Sequence, residues 1–459
     1  MTVAKATEFV QRNKDKVKQE FRLKYHGMPE VGWMNDPNGF SYFLDSYHIF
    51  YQYYPYDSVW GTMHWGHMVS KDLVKFDYLP VALAPDQEDE SGCFSGGAIV
   101  DQNNNTLHLF YTKHLEKNGE VIQTQGLASS SDGVNFIKRA EPIITKEMVK
   151  EHAKISDVRD PYPIYINGWY YVILGAKGYD DKGKFLIFRS KDLQKFTFHG
   201  EWKCDKCFGL MVECPDLKTI SNSQLLLFSR IYKDENMIQR NESRYIVGQI
   251  DLEVNKYEVY TNKVIDRGHH FYAPQSMVDN QGRTILIAWM DMWGDKTVTH
   301  DLGHYWQGAL TFPRVLTIND GELYQYPIEE LKKYRKDKAE LKHIQEIEKQ
   351  VDIETKKTNK PFTIDFCNPL NENEFYRISY DGKYISVDGK SIKLNALPVK
   401  QSEKQYDDVT LRILVDTSSI EIFVNEGVEV FTSRVYMRGS TYLLQSSVEG
   451  EIYTIKVDD

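Results

Sequence analysis

The chain carries 459 residues, 41% hydrophobic and 27% charged, with a formal net charge of -10. That length exceeds what one hydrophobic core usually serves, so two domains are expected, and an acidic average surface repels phosphate backbones and offers no nucleic-acid footprint. The aromatic share of 13%, with 30 Tyr, 22 Phe and 8 Trp, suits β-rich folds and surfaces that stack on sugar rings.

Residues 1–20 set Ala4, Phe9, Val10 and Val17 among charges and read as a short surface helix. Charges throughout this stretch leave no apolar core of a secretory signal, and no later run is long and apolar enough to span a membrane. A cytoplasmic setting is expected. The five cysteines, Cys93, Cys204, Cys207, Cys214 and Cys367, are few and odd in number, which argues against a disulfide framework. Cys204 and Cys207 form a C-x-x-C pair without the second pair or spaced His of a tetrahedral zinc site, so they read as two adjacent loop thiols. No metal and no cofactor are expected.

Residues 21–328 contain a repeat. SKDLVKF from Ser70, SSDGVNF from Ser130 and SKDLQKF from Ser190 put Asp72, Asp132 and Asp192 60 residues apart. Each copy follows a short apolar or alternating run and supplies Ser and Asp turn chemistry before a Phe, as a repeated hairpin would. Between the copies, YHIFYQYY, LHLFYT, WYYVILGA, QLLLFSR and TILIAWM favour strand over helix. Several short strands per period describe the blades of a β-propeller, and the region holds five blades of about sixty residues. Residues 329–350, highly charged and free of Gly and Pro, read as a helix or linker. Residues 351–459 return to about seven short alternating strands, the pattern of a β-sandwich. The fold class is therefore all-β, a five-bladed β-propeller followed by a C-terminal β-sandwich, which is free to shield the propeller or to contribute to a homodimer.

Three acids stand in settings unlike solvated charge runs. Asp36 lies in WMNDPNG, where Pro37 and Gly39 turn the chain tightly and Asn35 and Asn38 can orient the carboxylate. Asp160 lies in VRDPY beside Arg159, whose guanidinium favours the ionised form. Glu213 lies in MVECPDL between apolar residues, where burial is expected to raise its pKa and keep a proton for a leaving oxygen. Two ionised carboxylates and one protonated carboxyl suffice for glycoside hydrolysis through an oxocarbenium-like transition state. On successive blades, Asp36, Asp160 and Glu213 would converge from blades one, three and four.

With WMNDPNG, CFSGGAIV, RDP and ECPDL in this order, followed by FYAPQ and WQGALTFPR, the chain resembles glycoside hydrolase family 32, the invertase and β-fructofuranosidase family. The C-terminal VTLRILVDTSSIEIFVNEG resembles the family's sandwich domain. The resemblance implies a five-bladed propeller bearing the site, with Asp36 as nucleophile, Glu213 as acid/base and Asp160 as a stabiliser bonded to furanose hydroxyls. It also implies that Asn35, Gln52, Trp60, Phe94, Ser95 and Arg159 line a fructose pocket. Val212 and Gly97 depart from the commonest family pattern, which bears on pocket shape. The implied partner is a small sugar, sucrose 6-phosphate or sucrose, with short fructans as the alternative. An inverting arabinan- or xylan-cleaving propeller and a non-catalytic sugar-binding protein are the competing readings.

Overall fold

Consecutive aromatic and alternating runs pair with one another throughout the computed structural model, which describes residues 1–392 and 396–457. Up to Pro327 they form five blades, each built on four antiparallel strands. Blade one is β1 (Gly32–Phe43), β2 (Ser46–Tyr54), β3 (His64–Ser70) and β4 (Asp77–Tyr78); blade two is β5 (Gly92–Asp101), β6 (Thr106–Lys117), β7 (Glu120–Ser130) and β8 (Ile137–Lys138). Blade three is β9 (Val158–Ile166), β10 (Trp169–Lys177), β11 (Gly183–Ser190) and β12 (Thr197–Lys203); blade four is β13 (Met211–Ile220), β14 (Ser223–Lys233), β15 (Gln239–Asp251) and β16 (Lys256–Val264). Blade five is β17 (Tyr272–Val278), β18 (Thr284–Trp289), β20 (Arg314–Asn319) and β21 (Glu322–Pro327). Between β18 and β20, the short β19 (Trp306–Gln307) pairs in parallel with β1 and ties the last blade to the first.

The uninterrupted apolar runs follow from this packing. Side chains alternate across a strand, and in β10 Val172 and Leu174 enter the core shared with blade two while Tyr171 and Ile173 enter the core shared with blade four. In β14, Leu226 and Phe228 face blade three while Leu225 and Leu227 face blade five. Both faces of each such strand are buried, so neither can be polar.

The 60-residue repeat is the turn after the third strand. Asp72 Oδ1 accepts from the amides of Val74 and Lys75, at 3.0 Å each; Asp132 and Asp192 do the same two and three residues onward. The residue after each Asp is left-handed: Leu73, Gly133 and Leu193 have φ of 62, 72 and 61°. Blade four carries the same cap on Asp251, bonded by the amides of Glu253 and Val254. That copy escapes the sequence pattern because it lacks the Ser and Phe that mark the others.

In the N-terminal segment, an α-helix spans Val3–Asn13, capped by Thr2 and docked through Ala6 and Val10. Two findings correct the sequence reading. Residues 329–350 are mostly strand rather than one helix or linker: after a 3-10 helix at Glu329–Tyr334, strand Arg335–Glu340 pairs with Gly450–Ile455, and strand Ile344–Glu348 pairs with Thr441–Ser446. They form one edge of each of the two six-stranded sheets of the sandwich. Ladder pairing overrides helix propensity, and the exposed Lys and Glu side chains suit an edge that must not recruit another strand. The second correction is that Cys204 and Cys207 are joined in a disulfide. The amides of Cys207 and Phe208 both donate to the Cys204 carbonyl, at 3.1 Å each, folding the loop until the two Cα atoms stand 5.2 Å apart, within bridging range.

Propeller and sandwich meet through a buried polar network. Arg314 donates to Asp266 Oδ2 (3.0 Å) and to Glu421 Oε2 (2.7 Å). His26 places Nδ1 2.8 Å from Asp416 and Nε2 2.9 Å from Glu421. Burial pulls this imidazole's pKa down, but hydrogen bonds to the two carboxylates outweigh it and the net shift is upward. Arg314→Met leaves Asp266 and Glu421 buried without their guanidinium, so denaturant unfolding is expected to show a loss of about 3–5 kcal/mol; a loss under about 1 kcal/mol would show that the network is not holding the domains.

Candidate active site

All five innermost strands are interrupted at the same level by a β-bulge. On β1, Asn35 and Asp36 stand opposite Gln52; on β5, Ser95 is the inserted residue; on β9, Asp160 and Pro161 face Leu174. On β13 the pair is Cys214 and Pro215, and on β17 it is Ala273 and Pro274. A bulge leaves an amide unpaired and re-aims the neighbouring side chains. Pro37, Pro161, Pro215 and Pro274 each follow the re-aimed position and have no N–H to orphan. At blade two the same place is Gly96, where a Cβ would lie 1.9 Å from the Phe110 carbonyl. Asp160, Cys214 and Ala273 take left-handed φ of 62, 49 and 49°, conformations that persist only where surrounding structure holds them.

Side chains of the preceding blade supply that hold. Asn38 Oδ1 accepts from Gly96 N (3.1 Å), Thr112 Oγ1 from Asp160 N (2.9 Å), and Asp160 Oδ2 from Cys214 N (2.8 Å). Ser229 Oγ accepts from Ala273 N (3.0 Å), and Gln275 Oε1 accepts from Phe40 N (2.8 Å), which returns to blade one at a second irregularity of β1, Gly39–Phe40.

This ring frames a cavity of about 570 Å³. Asn35, Asp36, Gln52 and Trp60 line it from blade one, Phe94 and Ser95 from blade two, Arg159 and Asp160 from blade three, and Glu213 from blade four. All nine side chains singled out in the sequence thus come to one place. The structure adds His114, Gln123, Asn241, Tyr272 and Trp293. Tyr272 lies in the FYAPQ string, whose Tyr-x-Pro repeats the acid-Pro pattern of the other blades; Trp293, in a loop, carries no such signal. Val212, by contrast, is fully buried among the apolar side chains between blades three and four and does not line the cavity.

Asp36 is oriented by neutral donors. Trp33 Nε1 donates to Asn35 Oδ1 (2.7 Å), which turns the Asn35 amide nitrogen toward Asp36 Oδ1 (3.1 Å), while Ser95 Oγ donates to Asp36 Oδ2 (2.7 Å). Glu213 is held differently: Arg159 Nη2 and Nε donate to Oε1 (2.8 and 3.2 Å), and the Tyr272 hydroxyl to Oε2 (2.5 Å). The apolar residues beside Glu213 in the sequence therefore do not describe its surroundings, because the side chain faces polar partners across the bulge. Cys214 Sγ sits between the other two acids, 3.7 Å from Asp36 and 3.6 Å from Asp160. On the aromatic wall, Phe94 stacks on His114 with centroids 4.1 Å apart, and Trp60 meets Phe94 edge-on at 6.1 Å. Trp60 stays half exposed, as a platform for a sugar ring would.

Burial shapes the charge of the two aspartates. Burial pushes Asp36 up to about 6; hydrogen bonds from Ser95 and Asn35 oppose this, and the charge of Glu213 adds to it. Burial pushes Asp160 up to about 7, with Arg159 pulling down and Glu213 and Asp36 pushing up. Among the described residues no group of three His, Cys, Asp or Glu is arranged to hold a metal ion, and no helix is long and apolar enough to cross a membrane.

Three carboxyls and one guanidinium under a wall of aromatic rings, on the axis of a propeller, define a site of the sugar-cleaving class. Known proteins agree. The model of the glycosyl hydrolases family 32 N-terminal domain matches residues 26–327, and that of the family 32 C-terminal domain matches residues 328–458. Sucrose-6-phosphate hydrolase of Escherichia coli is 32% identical over 443 residues, covering 91% of this chain and 89% of the relative. The enzyme of the same name from Bacillus subtilis is 31% identical over 458 residues, covering 94% and 92%. Among solved structures, a β-fructofuranosidase of Bombyx mori aligns with a TM-score of 0.86 at 30% identity, covering 99% of this chain and 98% of that one. Sucrose-6-phosphate hydrolase from Lactobacillus gasseri aligns with a TM-score of 0.89 at 25% identity, covering 99% of each. The chain belongs to glycosyl hydrolase family 32, and it is a glycoside hydrolase with a propeller and a sandwich domain.

The raised acids make a stability prediction. Folding lifts the pKa of Asp160 above its unfolded value near 4, so its contribution favours the fold at low pH and is lost as pH rises through about 7. Asp160→Asn, which keeps an oxygen for the Cys214 amide, is expected to be more stable than the parent by about 2 kcal/mol at pH 8, an advantage that fades toward pH 4. Urea unfolding across that range checks it, and equal destabilisation at every pH would contradict it.

Proposed function

We propose that this enzyme releases fructose from sucrose 6-phosphate or sucrose by double displacement with retained anomeric configuration. The observation that carries the reading is the unequal treatment of two carboxyls in one cavity. Asp36 is aimed by neutral donors with no cation on it, and Glu213 is gripped by a guanidinium and a phenol. A carboxylate free of a counter-ion keeps its electron density for attack on the anomeric carbon. Three carboxyls facing one guanidinium do not all stay ionised near neutrality, so the cluster retains a proton. Furanose hydroxyls donated to Asp160 favour its anion, and Glu213 serves as the acid at the glycosidic oxygen. Asp36 then holds fructose covalently, and Glu213 takes a proton from the water that releases it.

The pocket residues take the roles their positions allow. Asn35, Gln52 and Ser95 face the furanose, Trp60 and Phe94 supply apolar contact, and Arg159 fixes the acid/base. The relatives named sucrose-6-phosphate hydrolases support a phosphorylated substrate and a cytoplasmic setting. The cavity shares Gln239, Asn241 and Trp293 with a second one of about 1100 Å³, where Arg240, Arg267, Lys296 and Lys400 stand beside Asp234, Glu242, Asp266 and Asp295.

Asp36→Ala is expected to lower kcat by about ten-thousandfold while its circular dichroism and unfolding midpoint stay near those of the parent; substantial turnover would remove Asp36 from its role. Proton NMR during the first turnovers should show β-fructofuranose as the first anomer formed, and the inverted anomer would rule out a covalent intermediate. On the phosphate question, kcat/KM for sucrose 6-phosphate should exceed that for sucrose by at least about tenfold, and equal values would assign the enzyme to plain sucrose.

A further inference from the structure

We propose that Cys204 and Cys207 are a reversible thiol–disulfide site that tunes how the enzyme holds the non-fructose end of its substrate. The bridge belongs to no scaffold: Cys93, Cys214 and Cys367 are free, and one bridge within four residues adds little to a fold of this size. It sits in the loop between β12 and β13, with Cys204 partly exposed and Cys207 buried, so an incoming thiolate reaches the Cys204 sulfur first. Asp205 and Lys206 stand between the two cysteines, with Asp205 engaged by Lys182 at 2.9 Å, and Lys203 before them is paired with Glu201.

The loop is wired to the cavity wall. Cys207 and Phe208 lie in the apolar core between blades three and four, beside Val212 and Phe228. The Cys207 carbonyl accepts from Arg230 Nη1 (2.8 Å), and Arg230 Nε donates to Glu242 Oε1 (2.7 Å), its partner across the ladder. The next rung is Ile231 opposite Asn241, both lining the active-site cavity, and the Ile231 carbonyl accepts from Leu210 N (2.7 Å). The bridge thus fixes the carbonyl that anchors Arg230, one rung from two side chains of the cavity.

The chemistry balances with a dithiol or two molecules of a small thiol as reductant. A thiolate attacks the Cys204 sulfur, the Cys204–Cys207 bond breaks, and the Cys207 thiolate leaves and takes a proton. A second thiol displaces Cys204 from the mixed disulfide, so two electrons and two protons enter the chain and the reductant departs as a disulfide. A low-molecular-weight disulfide runs the sequence backwards.

The test uses the full chain in buffers of reduced and oxidised glutathione at stepped ratios, with differential alkylation and mass spectrometry to count thiols at each cysteine. Cys204 and Cys207 should interconvert together and reversibly while the other three cysteines keep their state. KM for sucrose should differ by about fivefold between the two forms, with kcat within about twofold, and the difference should vanish in both Cys204→Ser and the C204S/C207S double variant. The proposal is overturned if the pair stays reduced under excess oxidised glutathione, if KM does not follow bridge occupancy, or if the variants keep the difference. Alkylation reads the bridge without turnover, so failure of the sucrose reading is distinguishable from failure of this one.

Discussion

The structure depends on five hydrogen bonds between neighbouring blades, each ending on an amide that a β-bulge has released. A bulge at the level of the cavity exposes side chains to the axis but breaks the ladder, and a buried amide without a partner costs about 1–3 kcal/mol. Asn38, Thr112, Asp160 and Ser229 meet that cost in turn, each reaching into the next blade, and Gln275 does the same at the second bulge of β1, Gly39–Phe40. One of the five is Asp160, an acid of the site itself. The atom that fixes the Cys214 bulge, and with it the aim of Glu213, therefore belongs to a carboxyl that lines the cavity, so blade packing and cavity geometry are not separable.

The same ring explains why similar carboxyls behave differently. Asp36 and Glu213 line the same cavity, yet one meets Asn35 and Ser95 and the other meets Arg159 and Tyr272. Which partners a bulge presents is set by the residue types at its shoulders: Asn before Asp in blade one, Arg before Asp in blade three, Tyr before Ala-Pro in blade five. Burial then raises the two aspartates together, a destabilisation retained where activity needs it.

The site was legible because the bulges leave a mark in the sequence: a polar residue followed by Pro or Gly within an apolar strand is a poor ladder member, and Asp36-Pro37, Asp160-Pro161 and Cys214-Pro215 stand out for that reason. The propeller was legible from the Asp caps at Asp72, Asp132 and Asp192. What stayed hidden was long-range. Residues 329–350 have the composition of a helix and become strands only because the sandwich sheets offer them partners. The polar setting of Glu213 comes from Arg159 and Tyr272, both more than fifty residues away along the chain. His26 gives no local hint of its two carboxylate partners in the sandwich, and the closure of the loop on Cys204 and Cys207 depends on two amides turning back to one carbonyl.

The account stands on Asp36 and Glu213 serving one furanose ring from opposite roles, and trapping the intermediate tests this most directly. Glu213→Gln given a fructoside whose leaving group needs no protonation should accumulate a fructosyl-enzyme. Acid quenching, proteolysis and mass spectrometry should place the sugar on the peptide containing Asp36. An adduct on any other residue, or hydrolysis of that substrate with no adduct and inverted configuration, would contradict the account.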